Sequence, residues 1–77
     1  MKELSSGVVI DALIRGGKPI IRDTRVPVDL VIDKLSIGMT YHELMTEYDL
    51  TEKQILDALK YAADIISNEE IRVVSQP

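Results

Sequence analysis

The sequence predicts a mainly α-helical fold: a three-helix, homeodomain-like (helix-turn-helix) core behind a short N-terminal β-hairpin. Three observations predict it. Two capping boxes, Thr40 with Glu43 and Thr51 with Gln54, each open an amphipathic run in the second half of the chain. A third apolar stripe precedes them between a proline and a glycine, the usual start and stop signals of a helix. Ahead of all three, "PIIR" and "RVPV" flank Asp23-Thr24 as two short β-type runs.

Residues 1–28 read as the extended, hairpin-bearing segment. "VVI" at 8–10 is β-branched, and Pro19 and Pro27, lacking N–H groups, belong at strand ends or a sheet edge. Thr24 resists the positive φ of a two-residue turn, so the spacing predicts a longer turn opened by Asp23. Pro27 fits the first turn of the next helix. From there Val28, Val31, Ile32 and Leu35 form one stripe, Asp29 and Lys34 face outward, and Gly38 stops the helix.

The second helix follows Thr40, with Tyr41, Leu44, Met45 and Tyr48 at i, i+3, i+4, i+7. "DLT" breaks that pattern, and the third helix runs to about Ser67-Asn68. On its outer stripe Lys53, Asp57, Lys60 and Asp64 are spaced to pair among themselves. Nearly everything else on it is apolar, a wider arc than one small core needs. Part of it, assigned to Tyr61, Ile65 and Ile66, is expected to face a partner chain in a homodimer. Residues 29–67 are thus the expected three-helix core and 68–77 an extended tail, all within one domain of residues 1–77.

A 77-residue domain buries only about 60% of its unfolded surface, which again favours homo-oligomerisation. With no cysteine and a single histidine, disulfides and a zinc site are excluded, and no metal or other cofactor is expected. No long apolar run suits a signal peptide or membrane span, so a soluble, cytoplasmic protein is expected. No nucleophile–base pair, carboxylate pair or phosphate-cradling loop suggests an enzyme, and no small-molecule substrate is evident. The "GG" at 16–17 is followed by Lys-Pro, not by a helix.

The net charge of −4 is unevenly distributed. Residues 1–28 hold five Lys/Arg against three Asp/Glu, net +2, whereas residues 29–77 hold four against ten, net −6. That balance disfavours a non-specific nucleic-acid binder, whose affinity comes mostly from phosphate neutralisation.

The stretch "GGKPIIRDTRVPVDLVIDKLSIGMTYHELMTEYDLTEKQILDALKYAADI" resembles the small bacterial family named domain of unknown function 433. Its pattern is G-K-P-x-I-x-G-T-R-[IV]-P-V, a helix, a G-M-[ST]-x-x-E-[IL]-x-x-x-Y block, then an L-T-x-x-x-[IV]-x-x-A-L-x-Y-A run. Two positions depart: Asp23 replaces the glycine of the "GTR" turn, and Asp11-Ala12 replaces a usual "D-P". The resemblance implies a helix-turn-helix-like fold and an antitoxin role of VapB type, with a PIN-like ribonuclease toxin as protein partner.

The candidate site is the basic hairpin. Arg22 and Arg25 are expected nearly opposite each other, repelling unless an anion lies between them. Lys18, Arg22, Thr24 and Arg25 are therefore the candidate partner- or anion-binding residues, with guanidinium forks suited to phosphate or carboxylate. The alternative is structural: Arg25 pairs with Asp29 or Asp33, or donates to carbonyls that the prolines leave free. Arg15, Lys53 and Gln54 are the candidate DNA contacts of a transcriptional regulator, the alternative function. Against that role, Glu52 opens the third helix and repels phosphate, and its outer stripe pairs off its own charges. A basic two-stranded ribbon entering a groove is the other mode. The three tyrosines are core-edge residues, too few for base stacking, and His42 is a solvated helix position.

Overall fold

The computed structural model describes residues 1–68. Three strands, β1 (Lys2–Ser5), β2 (Val8–Ile10) and β3 (Pro19–Ile21), are followed by three helices, α1 (Val28–Ser36), α2 (Tyr41–Tyr48) and α3 (Glu52–Asn68). The strands form one antiparallel sheet in the order β1-β2-β3. The fold is therefore mixed α/β, which corrects the expectation of a mainly α chain with a lone hairpin.

The correction has a local cause. "PIIR" and "RVPV" do turn back on each other, with Ile21 N–H donating to Val26 C=O at 2.9 Å. Their ladder stops at one isolated bridge, Ile20 to Pro27. Two prolines remove the donors a longer ladder needs. Ile20 and Ile21 instead pair with Val9 and Val8, and β1 adds an edge through Lys2–Ile10 and Glu3–Val9. A bulge between Glu3 and Ser5 shortens that edge's regular pairing.

Helix boundaries follow the caps. Both capping boxes form: Glu43 N–H donates to Thr40 Oγ1 (3.1 Å) and Thr40 N–H to Glu43 Oε1 (2.8 Å). Thr51 and Gln54 repeat the exchange at 3.1 and 2.9 Å. Pro27 is the cap before α1, one position earlier than its expected place inside the helix, with φ −68° and ψ 146°. Gly38, at φ +102°, ends α1 where Met39 N–H reaches Lys34 C=O at 3.0 Å. Asn68 lies in α3, not in a tail, and the rest of the expected tail, 69–77, lies outside the described residues.

The core joins sheet and helices: Val8 and Ile21 from the sheet, Val28 and Val31 from α1, Leu44, Leu50, and Ile55 and Ala58 from α3. Tyr48 and Tyr61 pack against it from the edge, as their amphipathic character predicts, whereas Tyr41, in the first turn of α2, is exposed and does not join the core edge. Burying the Val, Leu and Ile side chains contributes about 1.5–3 kcal/mol each, and Ala58 about 0.8 kcal/mol. This packing fixes the two surfaces that matter below, the 22–27 loop beside the sheet and the flank between α1 and α3.

Candidate partner-binding surface

The loop after β3 is held from within. Thr24 N–H and Thr24 Oγ1 both donate to Ile21 C=O (3.1 and 2.8 Å), and Val26 N–H donates to Thr24 Oγ1 (3.0 Å). Thr24, a candidate binding residue by sequence, thus serves as the half-buried brace of the loop. Asp23 takes the positive φ the turn requires, +64°. Glycine reaches that conformation without strain, which is the physical reason for glycine at the matching place in the "GTR" pattern.

The side chains of three of the four cations near this loop have partners among the described residues. Arg22 Nη2 lies 2.7 Å from Glu3 Oε2 on β1, and Lys18 Nζ lies 2.9 Å from Asp29 Oδ2 on α1. Arg15 Nε donates to the Arg25 carbonyl at 3.0 Å. Arg25 itself is exposed and has no carboxylate within 4 Å among the described residues. The pairing of Arg25 with Asp29 or Asp33, one of the alternatives from sequence, therefore does not occur, because Lys18 holds Asp29. Arg22, expected to face only Arg25, has the opposite charge of Glu3 beside it.

These bridges are weak. Side chains of Lys18 and Asp29 are 57% and 64% exposed, and those of Arg22 and Glu3 are 43% and 52% exposed. Pairs so open to solvent contribute about 0–1 kcal/mol, and an incoming anion can replace either carboxylate at little cost.

The candidate DNA contacts at the start of α3 are engaged with their own helix. Gln54 closes the capping box with Thr51, and Lys53 Nζ bridges Asp57 Oδ2 at 2.9 Å. Lys60 and Asp64 repeat this one turn on at 2.6 Å, so the expected stripe of paired charges forms.

On the other flank an open groove of about 1000 Å³ runs between α1 and the last turns of α3. Tyr61, Ile65 and Ile66, the three candidate contact residues, all line it, together with Val28, Leu30 and Ile32 of α1. Ile65 and Ile66 are 48% and 63% exposed. Arg15 and Lys18 stand on its rim, so the groove adjoins the basic loop. Sequence periodicity found the α3 wall, and Ile32, which it placed on the core stripe, both packs against the core and lines the groove. The opposing wall arises from how α1 crosses α3, a non-local relation.

Glu43 is the group whose acidity is resolved as shifted. The Thr40 backbone N–H, then the Thr40 hydroxyl, hold its carboxyl below the usual range. Among the described residues no group of His, Cys, Asp and Glu is placed to hold a metal ion. No helix among them is long and apolar enough to cross a membrane.

Together these features define a small mixed α/β domain, three helices on a three-stranded antiparallel sheet, with surface cations and an open apolar groove. Within the class the chain belongs to the family described as "Protein of unknown function (DUF433)", which matches residues 8–62. The matched span begins at β2 and ends at Ala62, so β1 and the final turns of α3 lie beyond it. No curated protein and no solved structure matches the chain.

Proposed function

We propose that this chain is a non-enzymatic, antitoxin-type interaction module that binds a PIN-like ribonuclease and blocks its acidic site with the basic loop. One observation carries the reading: Arg25 is exposed, without a carboxylate partner among the described residues, on a loop braced by Thr24 and followed directly by Pro27 and α1. The braced loop fixes the backbone from which Arg25 extends, so only its side chain is ordered on binding, and the guanidinium offers two parallel hydrogen bonds to a carboxylate. Inserted among metal-binding carboxylates, it competes with the cation they hold. Arg22 and Lys18 add charge once Glu3 and Asp29 are displaced.

The antitoxin class comes from the family resemblance and the loop supplies the chemistry. Co-expression with the product of the adjacent gene tests both. The complex is expected to co-purify and to lose ribonuclease activity. Arg25→Ala is expected to weaken it at least tenfold, as truncating one side of a desolvated charge pair does. A neighbouring product that purifies alone and keeps its nuclease activity in the presence of this chain would end the proposal.

DNA-binding autoregulation through α2 and α3 as a helix-turn-helix, or through the basic loop, is the other outcome to examine. Its signature is salt-steep binding to the upstream fragment. With Lys53 and Gln54 engaged on α3, that reading has less support.

A further inference from the structure

We propose that the groove between α1 and α3 is filled by a second copy of this chain, each copy inserting the last turns of its α3 into the other. The stripe of α3 that forms the core does not stop where its cover stops. Ile55 and Ala58 are fully buried, and the same face continues through Ala62, Ile65 and Ile66 at helical spacing, where the two isoleucines become 48% and 63% exposed.

Among the described residues the end of α3 and the groove beside it present apolar surface to solvent. The uncovered stretch, residues 61–66, spans close to two turns. Two turns of helix are roughly 11 Å long, so the stretch is a short, compact apolar knob. The groove holds about 1000 Å³. Insertion of α3 into α3's own groove on the partner is self-complementary, as a two-fold contact requires. Ala62, a small residue in this stripe, allows the two helices to approach closely.

The charges agree. The groove lining carries Arg15, Lys18 and Lys34 against Asp29 and Asp33, and Lys18 already neutralises Asp29. The last turn of α3, as far as Asn68, has no basic residue. Fifteen residues line the groove, somewhat fewer than the roughly 20–30 per side of a standard interface, so the dimer is expected to depend on concentration.

Light scattering coupled to gel filtration tests this on the full chain. At high concentration the wild type is expected at twice the 8.6 kDa chain mass, falling toward 8.6 kDa on dilution. Ile65→Asp and Ile66→Asp are expected to run at the chain mass with helical circular dichroism intact, since both side chains are already largely exposed. Leu13→Asp, at a position 91% exposed and outside the groove lining, is expected to dimerise like the wild type. Arg25→Ala should keep the dimer, which separates this contact from the loop's. A wild type at the chain mass at every concentration would overturn the proposal and leave the groove to another occupant. So would a dimer that survives both aspartate substitutions.

Discussion

Gly7 joins the sheet to α3, and its replacement by alanine shows how tightly. It lies between β1 and β2 at φ +82°, and its carbonyl accepts from Arg22 N–H at 2.9 Å. A Cβ built there would lie 2.3 Å from Asp57 Oδ2, 2.8 Å from its Cγ and 3.0 Å from its Cβ. The Asp57 side chain is only 20% exposed and is bridged by Lys53, so it cannot swing aside without losing that partner. Two penalties add. A left-handed backbone costs alanine about 1–2 kcal/mol, and the overlap costs about 1–3 kcal/mol, as overpacking does. The sum, about 2–5 kcal/mol, is a large part of the roughly 4–12 kcal/mol available to a domain of this length. A midpoint loss of roughly 8–40 °C is expected in a thermal melt followed by circular dichroism. Asp57→Ala removes the two closest contacts and leaves the backbone strain. In that background Gly7→Ala should therefore cost only about 1–2 kcal/mol. Equal costs in both backgrounds would refute the close approach of Gly7 and Asp57, and a melt unchanged by Gly7→Ala would refute the whole account.

Two further outcomes follow from local geometry. Asp23→Gly should raise stability by up to about 1 kcal/mol in urea titration, because glycine takes φ +64° without strain and no hydrogen bond of the Asp23 side chain is given up among the described residues; a loss of stability would refute this. Thr40→Ala should destabilise by about 0.5–2 kcal/mol and raise the Glu43 pKa part of the way toward its ordinary value in a carboxyl-resolved NMR titration, since the hydroxyl is lost while the Thr40 backbone N–H remains. Because the folded-state value is the depressed one, the capping contribution of Glu43 is present above the ordinary carboxylate range and is lost as pH falls through the lowered value. A Glu43 titration unchanged by Thr40→Ala would contradict the cap as described.

How much of this was legible in sequence depended on separation along the chain. The capping boxes and the Lys53–Asp57 and Lys60–Asp64 bridges link residues three or four apart, and each formed as read. The three helices followed from those caps and from period 3.6. β1 was missed because "KELS" is a short polar edge strand, with neither an apolar alternation nor a turn signal strong enough to mark it. The register of β3 was missed because Ile20 and Ile21 find their partners a dozen residues upstream in β2, while the local sequence advertises only the turn that follows. The same holds for the cations. Clustering in the sequence was visible, but Glu3 lies 19 positions before Arg22 and Asp29 lies 11 after Lys18, and only the fold brings them together.

That distinction changes what the basic segment means. Five cations in the first 28 residues suggest a strongly positive surface, yet the count of charges is not the count of available charges. Lys18 and Arg22 are neutralised within the chain, and Arg15 is turned toward the Arg25 carbonyl. A partner meeting Arg22 must first displace Glu3, at a cost of about 0–1 kcal/mol, whereas one meeting Arg25 displaces no carboxylate of the described residues. In any complex made through this loop, Arg25→Ala should therefore weaken binding more than Arg22→Ala, and Glu3→Gln should strengthen it by releasing Arg22. The reverse order would mean that the partner reads the sheet edge, with the loop following, and Arg25 would lose its place as the leading contact.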